Sequence, residues 1–496
     1  MFERSSGILM HISSLPGEYG IGDFGKKAYE FVDFLEKSDQ KLWQILPMGQ
    51  TGYGDSPYQS YSAFAGNPYF IDLDGLVDEG LLTEEDIKDI KAWNKKDYVD
   101  YGLLYHVKTP LLKKAYEKFL LKSDDAGVME FKEKNRYWIE DYCLFMALKE
   151  RFGGKSWQRW PKEYKFRLKE AVAEAKASLD DEMGYHLFAQ YVFDKQWRKL
   201  KKYTNDKGIK IIGDIPIFIA GDSADAWANE KLFDFNKYKK PRKVAGCPPD
   251  AFSRDGQLWG NPLYNWKYMK KTGYEWWIER IKASFDLHDI VRIDHFRGFE
   301  SYWAIPAGSK TAAKGRWQKG PGMDLFNAIK KRLGDLPIIA EDLGFLTPRV
   351  KKLLKDSGYP GMKILEFAFD SRDENDYLPH KYEENSVAYT GTHDNETVVG
   401  WYDVVDSADK KMCDTYLAKI KDVTSPEINW KFIETVWNSD SVMALAQMQD
   451  FLGIDTNGRM NVPSVPDGNW QWRVDEELLT DELVKRIGKI TKKFER

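Results

Sequence analysis

The stretch IVRIDHFRG, Ile290 to Gly298, reads as a short strand that ends in an acid. Ile290, Val291 and Ile293 are β-branched and suit a pleated, buried surface, and Asp294 closes the run. The pattern recurs. PIIAEDLG (Pro337 to Gly344) delivers Glu341, VAYTGTHDNET (Val387 to Thr397) delivers Asp394, and GIKIIGDIPIF (Gly208 to Phe218) delivers Asp214. Apolar runs with so little alternation are typical of parallel strands covered by helices on both faces. In a (β/α)8 TIM barrel the C-terminal ends of such strands converge on one pocket. Acids far apart in sequence then meet in space, and a pair of carboxylates with charged helpers is the apparatus that breaks a glycosidic bond.

The other strands are read in the same way. They are GILMHI (Gly7 to Ile12), KLWQILPM (Lys41 to Met48), MKILEFAF (Met362 to Phe369) and a short eighth strand at RMNVP (Arg459 to Pro463). The Gly-, Ser- and Tyr-rich stretch Gly49 to Tyr69 is too long for a plain connector and reads as functional. Apolar residues at three- and four-residue spacing predict helices over about 76–202 and again over about 399–452. FKEKNRYWIEDYCLFMALKERFGG, Phe131 to Gly154, is an example, ended by a glycine pair. The tail from Asp475 reads as an amphipathic helix, and Val244 to Pro262, rich in Pro and Gly, as a pocket wall. The expected organisation is one catalytic domain, 1–496, an α/β barrel with two helical insertions between barrel strands. Strand–helix alternation alone also allows an open doubly wound sheet.

Composition narrows the function. Lys plus Arg is 74 and Asp plus Glu is 78, a net charge of −4, which leaves no electrostatic footprint for nucleic acid. Clusters such as Lys199 to Lys202 read as solvated helix faces. No apolar run approaches a membrane span, and MFERSSGILMH lacks the apolar stretch of a signal peptide, so a cytoplasmic protein without a membrane partner is expected. Cys143, Cys247 and Cys413 are odd in number and widely spaced, which argues for buried thiols rather than a disulfide framework or metal motif.

Asp294 is the candidate nucleophile. Arg292 lies in the same buried run, and a buried arginine is rare unless paired. Beside Asp294 it would hold the carboxylate ionised, as attack on an anomeric carbon requires. A structural Asp–Arg pair at a strand end is the alternative. Glu341 follows Ile338, Ile339 and Ala340, so partial desolvation suits it to hold a proton as general acid and later serve as base. Asp342 points to the other face and reads as structural. His295 and Arg297 supply donors for substrate hydroxyls. Asp394, with His393, is the candidate for holding sugar hydroxyls and favouring ring distortion; alternatively it caps a helix, a task open equally to Asn395 or Thr397. Only seven histidines occur, none in HExxH or HxH spacing, so no metal is expected.

VRIDHFRG, AEDLG and GTHDNET resemble the nucleophile, acid/base and third-carboxylate segments of the 4-α-glucanotransferases, relatives of the α-amylases. The likeness runs nearly end to end, through GDSPYQSYSAFAGNPY (Gly54 to Tyr69), GDIPIF (Gly213 to Phe218), GQLWGNPLYNW (Gly256 to Trp266) and RMNVP. The resemblance implies the closed barrel and excludes the open sheet. It implies retaining transfer of α-1,4-glucan segments, from maltooligosaccharides or amylose to an acceptor glucan or glucose, with no cofactor. It implies sugar contacts at Ser56, Tyr58, Asp214, Gln257, Trp259, Arg292, His295, Asp370 and His393. Pro216 and Ile217 stand where the wider amylase group has Asn-His, which weakens an amylase-type calcium site. Ala251 stands where the family often has Tyr, so a ring contact on the acceptor side is expected to be missing. α-Glucan hydrolysis on the same residues is the nearest alternative, and a silent glucan-binding protein a further one, set against by the presence of all three acids.

Overall fold

Eight parallel strands form the centre of the molecule: β1 (Ser5–Leu9), β2 (Leu42–Gln44), β3 (Lys210–Pro216), β4 (Ile290–Asp294), β5 (Ile338–Ala340), β6 (Gly361–Ile364), β7 (Ser386–Tyr389) and β8 (Met443–Gln447). The computed structural model describes residues 2–52, 54–94, 97–122, 126–249, 254–344, 346–372, 376–465 and 467–496. β6, β7, β8, β1, β2, β3, β4 and β5 pair in that order. The two ends meet where Ala340 N–H donates to the Pro360 carbonyl at 3.0 Å. Met362 N–H donates across the same seam to the Asp342 carboxylate at 2.7 Å. The sheet thereby closes into the (β/α)8 barrel.

The strand period of two sorts each run between core and interior. Leu42, Ile212, Ile290, Ile339, Met362, Ile364, Val387, Tyr389, Met443 and Leu445 pack together inside the barrel. Ile211, Ile215, Val291, Ile293, Ile338 and Ala340 belong instead to the clusters shared with the surrounding helices. The acids follow from that phase. Asp214 is two residues after Ile212, Arg292 and Asp294 two and four after Ile290, and Glu341 two after Ile339. All four lie above the apolar plug, on the inward side.

Helices such as Lys26–Lys37, Asp180–Asp206, Glu275–Leu287 and Pro348–Ser357 surround the strands. The last shows how local sequence sets the ends. The Thr347 side chain accepts from Val350 N–H, a proline opens the first turn, and Gly358 takes the left-handed conformation (φ 71°) that closes it. Between β2 and β3 the chain is helical, ending in the 27-residue helix Asp180–Asp206. Among the described residues no helix is long and apolar enough to cross a membrane.

Two expectations are corrected. The eighth strand is not RMNVP but MALAQ, Met443–Gln447, inside the stretch read as helical; it pairs with β1 and β7. Met, Ala, Leu and Gln are good helix formers, and no Gly or Pro separates this segment from the helix Met448–Leu452 that follows. Position between two strands overrides propensity. Likewise Val244 to Pro262 is not all loop. Lys243–Cys247 and Gln257–Pro262 are strands of an antiparallel sheet completed by Ser301–Pro306 and Arg316–Lys319.

Candidate active site

β3 and β4 are in register, with Asp214 beside Arg292. The Arg292 guanidinium spans two acids, donating to Asp214 Oδ2 at 2.5 Å and to Asp294 Oδ1 at 3.1 Å. Tyr58, delivered by the long loop after β2, donates its hydroxyl to the same Asp214 oxygen at 2.8 Å. Ser56 Oγ accepts Tyr58 N–H at 3.3 Å and so shapes the turn beneath the ring. Burial opposes the charge on Arg292, but Asp214 and Asp294 outweigh it and keep the guanidinium charged. Burial and Asp214 keep the Tyr58 phenol protonated.

Glu341 sits one residue past β5, and both its oxygens are held by backbone. Oε2 accepts His295 N–H at 2.6 Å and Oε1 accepts Leu343 N–H at 2.8 Å. His295 takes a left-handed conformation (φ 51°, ψ 48°) directly after β4, which costs a side-chain-bearing residue energy and is retained where surrounding structure demands it. Burial raises the proton affinity of Asp294 well above the usual carboxylate range; Arg292 opposes this and the Glu341 charge adds to it. Burial also raises Glu341, opposed by Arg292 and the two backbone donors. The arginine therefore does not dominate Asp294, as its position in the strand suggested. Each carboxylate opposes ionisation of the other, so the two titrate as a pair.

The third acid comes from the loop after β7. Asp394 is half exposed. Its Oδ1 accepts from Asn461 Nδ2 at 2.6 Å, and its carbonyl accepts from Arg459 Nη2 at 3.1 Å. Arg459 is anchored in turn on Glu396 at 3.1 Å. The segment expected to be a strand is thus a clamp over Asp394. Thr397, not Asp394, caps the helix Val398–Val404. His393 is buried, stacks on Tyr58 with ring centroids 5.2 Å apart and lies 3.5 Å from Asp394 Oδ1. Burial lowers its pKa, leaving the neutral imidazole. Trp470 packs against both Tyr58 and His393.

Trp259 projects from the antiparallel sheet and meets the His295 ring edge-on at 4.9 Å. Its indole N–H donates to Gln257 Oε1 at 2.9 Å. Burial and Arg297 take His295 down to about 3, so it too is neutral. Asp214 Oδ1, His295 Nε2 and His393 Nδ1 are buried without a hydrogen-bond partner among the described residues, which suits groups that bind substrate hydroxyls. Asp370 lies past the 3₁₀ turn Leu365–Ala368 and engages Arg372 at 2.7 and 2.8 Å; that contact pulls its carboxyl down to about 2. Ala251 lies outside the described residues.

The fold and this site define a class: a barrel whose strand ends assemble a carboxylate pair, a charged arginine and buried polar atoms without a partner among the described residues. Among the described residues no group of three or more His, Cys, Asp or Glu side chains is arranged to hold a metal ion. Residues 10–480 match the family described as 4-alpha-glucanotransferase, glycoside hydrolase family 77, and the chain belongs to that family. It is 52% identical over 488 residues to a 4-alpha-glucanotransferase of Clostridium butyricum, across 98% of this chain and 100% of that one. A Thermus thermophilus relative of the same name is 45% identical, across 99% of each chain. The amylomaltase of Streptococcus agalactiae, solved in complex with acarbose, superposes with a TM-score of 0.96 and 44% identity over 100% of both chains.

Arg292, Asp214, Tyr58, Asp294, Glu341, His295 and His393 are brought together, with Trp259 and Gln257 on one wall. Arg459 and Trp470 escaped the sequence reading. Trp470 falls in GNWQW, with no motif to distinguish it from a core aromatic. Arg459 was visible only as part of a misread strand.

Proposed function

We propose that this member of the 4-alpha-glucanotransferase family moves α-1,4-glucan segments from a donor maltodextrin to the 4-hydroxyl of an acceptor glucan or glucose. The observation that carries the reading is the arrangement of Asp294 and Glu341. They sit at the ends of adjacent strands, with Glu341 fastened to the peptide that follows Asp294. Asp294 attacks C1 of the donor glucose while Glu341 protonates the departing glycosidic oxygen, and a covalent glycosyl-enzyme forms. Glu341 then takes the proton from the acceptor 4-hydroxyl, which displaces Asp294. Two inversions retain the α configuration.

Arg292 offsets charge at Asp294 as the pair cycles. Asp394 and His393 hold donor hydroxyls, and Trp259 with Gln257 forms the acceptor wall. The bond broken resembles the bond made, so the exchange needs no external energy source or cofactor. Incubation with maltotriose tests the reading. Glucose together with a ladder of longer maltodextrins is the expected product pattern. Glucose and maltose alone would mean hydrolysis on the same residues.

A further inference from the structure

The loop between β7 and the helix Val398–Val404 carries His393 and Asp394, and its two ends meet on one buried carboxylate. Asp450 lies in the helix Met448–Leu452, directly after β8, and is buried. Its Oδ2 accepts the Thr390 hydroxyl at 2.6 Å, and its Oδ1 accepts Val398 N–H at 2.9 Å. Thr390 is the first residue after β7 and Val398 the first of the helix, so Asp450 spans the base of the loop. A carboxylate is acceptor-only and takes both donors at once. Burial pushes its carboxyl up to about 6, opposed by Thr390 and Val398 and aided by Glu396, which leaves it ionised at neutral pH. The backbone on each side is pinned. Asn429 Nδ2 donates to the Asp450 carbonyl at 2.8 Å. Thr390 N–H donates to the Leu445 carbonyl at 3.2 Å, and the Thr390 carbonyl accepts Glu366 N–H at 3.3 Å.

The two side chains at the tip depend on that base unequally. His393 is buried and packed between the rings of Tyr58 and Trp470. Asp394 is half exposed and has no such packing. It is met by Asn461 on its carboxylate and by Arg459 on its carbonyl. Both of those residues follow Asp450 on the same segment of chain. One side of the barrel therefore holds the loop at its base and at its tip, and the tip contacts form only if the base is in place.

We propose that Asp450 is a positioning residue for Asp394: by tying Thr390 to Val398 it sets the base of the loop from which Asp394 reaches the donor sugar. Both Asp450 oxygens are engaged within the protein, so it acts through the loop and not on the sugar. The assignment rests on the role given to Asp394 in the reading above.

The test uses the full-length protein and α-maltosyl fluoride, a donor whose leaving group needs little protonation, with fluoride release as the readout. Release reports formation of the glycosyl-enzyme whether a glucan or water then accepts the sugar. The result therefore stands apart from the transferase reading, which the maltotriose ladder decides. Asp450→Ala lowers the rate about a hundredfold, the scale of a 1 Å misplacement. In Asp394→Ala, where no carboxylate is left to place, adding Asp450→Ala costs about twofold at most. Thr390→Val deletes one of the two bonds and keeps the side-chain shape. It gives the same pattern with a smaller loss, and it decides the matter if Asp450→Ala does not fold. An equal loss in both backgrounds marks general destabilisation and overturns the proposal. So does a wild-type rate in Asp450→Ala and Thr390→Val. A wild-type rate in Asp394→Ala overturns it together with the role given to Asp394.

Discussion

The carboxylate of Glu341 accepts the backbone N–H of His295, the residue after Asp294, at 2.6 Å. Glu341 is thereby fastened to the peptide adjoining Asp294, across the β4–β5 pair. A backbone donor survives every substitution at His295 except proline, so the placement of Glu341 depends on strand register and on the left-handed turn at His295. The roles of the two acids can thus be separated by mutation with little disturbance of their positions.

Asp294→Asn should lower turnover on the order of 10⁴-fold or more with any donor, because no glycosyl-enzyme can form. Glu341→Gln should be severely impaired with maltotriose but much less so with a donor bearing a good leaving group, which needs little protonation. Steady-state rates with both donor types check this. Near-normal activity of Asp294→Asn would show the nucleophile to be misassigned.

The pair should give a bell-shaped dependence of kcat/KM on pH. Below the acid limb both carboxyls are protonated and Asp294 cannot attack; above the basic limb both are ionised and no acid remains. Burial raises both groups, so both limbs lie above the ~4 of a free carboxyl. Glu341→Gln mimics the neutral, protonated Glu341 that faces Asp294 at the acid limb, so the basic limb should vanish while the acid limb stays nearly where it is. An acid limb at ~4 in the wild type would contradict the raised affinity.

Arg459 binds the Asp394 carbonyl and the Glu396 carboxylate. Arg459→Met should loosen Asp394 and reduce kcat about a hundredfold, the cost of an approximately 1 Å misplacement. Thermal stability should change far less. A fall in melting temperature large enough to explain the lost activity would make the residue structural instead.

Away from the site, Lys108 is fully buried, donates to the Tyr69 carbonyl at 2.8 Å and lies 3.6 Å from Asp23 Oδ2. Burial pushes Asp23 up to about 7, with Lys108 opposing. Lys108→Met removes the main charge that offsets that acid, leaving only the Gly25 N–H and the field of Arg473, and should destabilise the protein by about 3–5 kcal/mol. The sign in pH follows. A carboxyl whose folded pKa exceeds its unfolded ~3.9 contributes stability at low pH and loses it as pH rises through 7. The deficit of Lys108→Met should therefore be greater at pH 8 than at pH 5, and adding Asp23→Asn should recover much of it. A melting deficit independent of pH would refute this account.

Much of the barrel was legible because its signals are local. Ile290 to Asp294 and Ile338 to Glu341 are apolar runs whose period places Asp294 four residues beyond Ile290 and Glu341 two beyond Ile339, both plug residues. Met443–Gln447 failed because its residues favour a helix, and only the gap between β7 and β1 makes it a strand. The antiparallel sheet was lost because its Gly- and Pro-rich strands look like a loop until Ser301–Pro306 pairs with them.

The sequence by itself determined which acids stand at the ends of the strand runs, since identity and short-range period are properties of the chain. Only the tertiary structure decided how those residues are charged and held. Arg292 meets Asp214 across 78 positions, and Asn461 reaches Asp394 across 67. The proton affinity of Asp294 is set by burial against Arg292, Glu341 and Asp214 together. Such terms depend on distance and solvent exclusion in space, which no local reading of the chain contains.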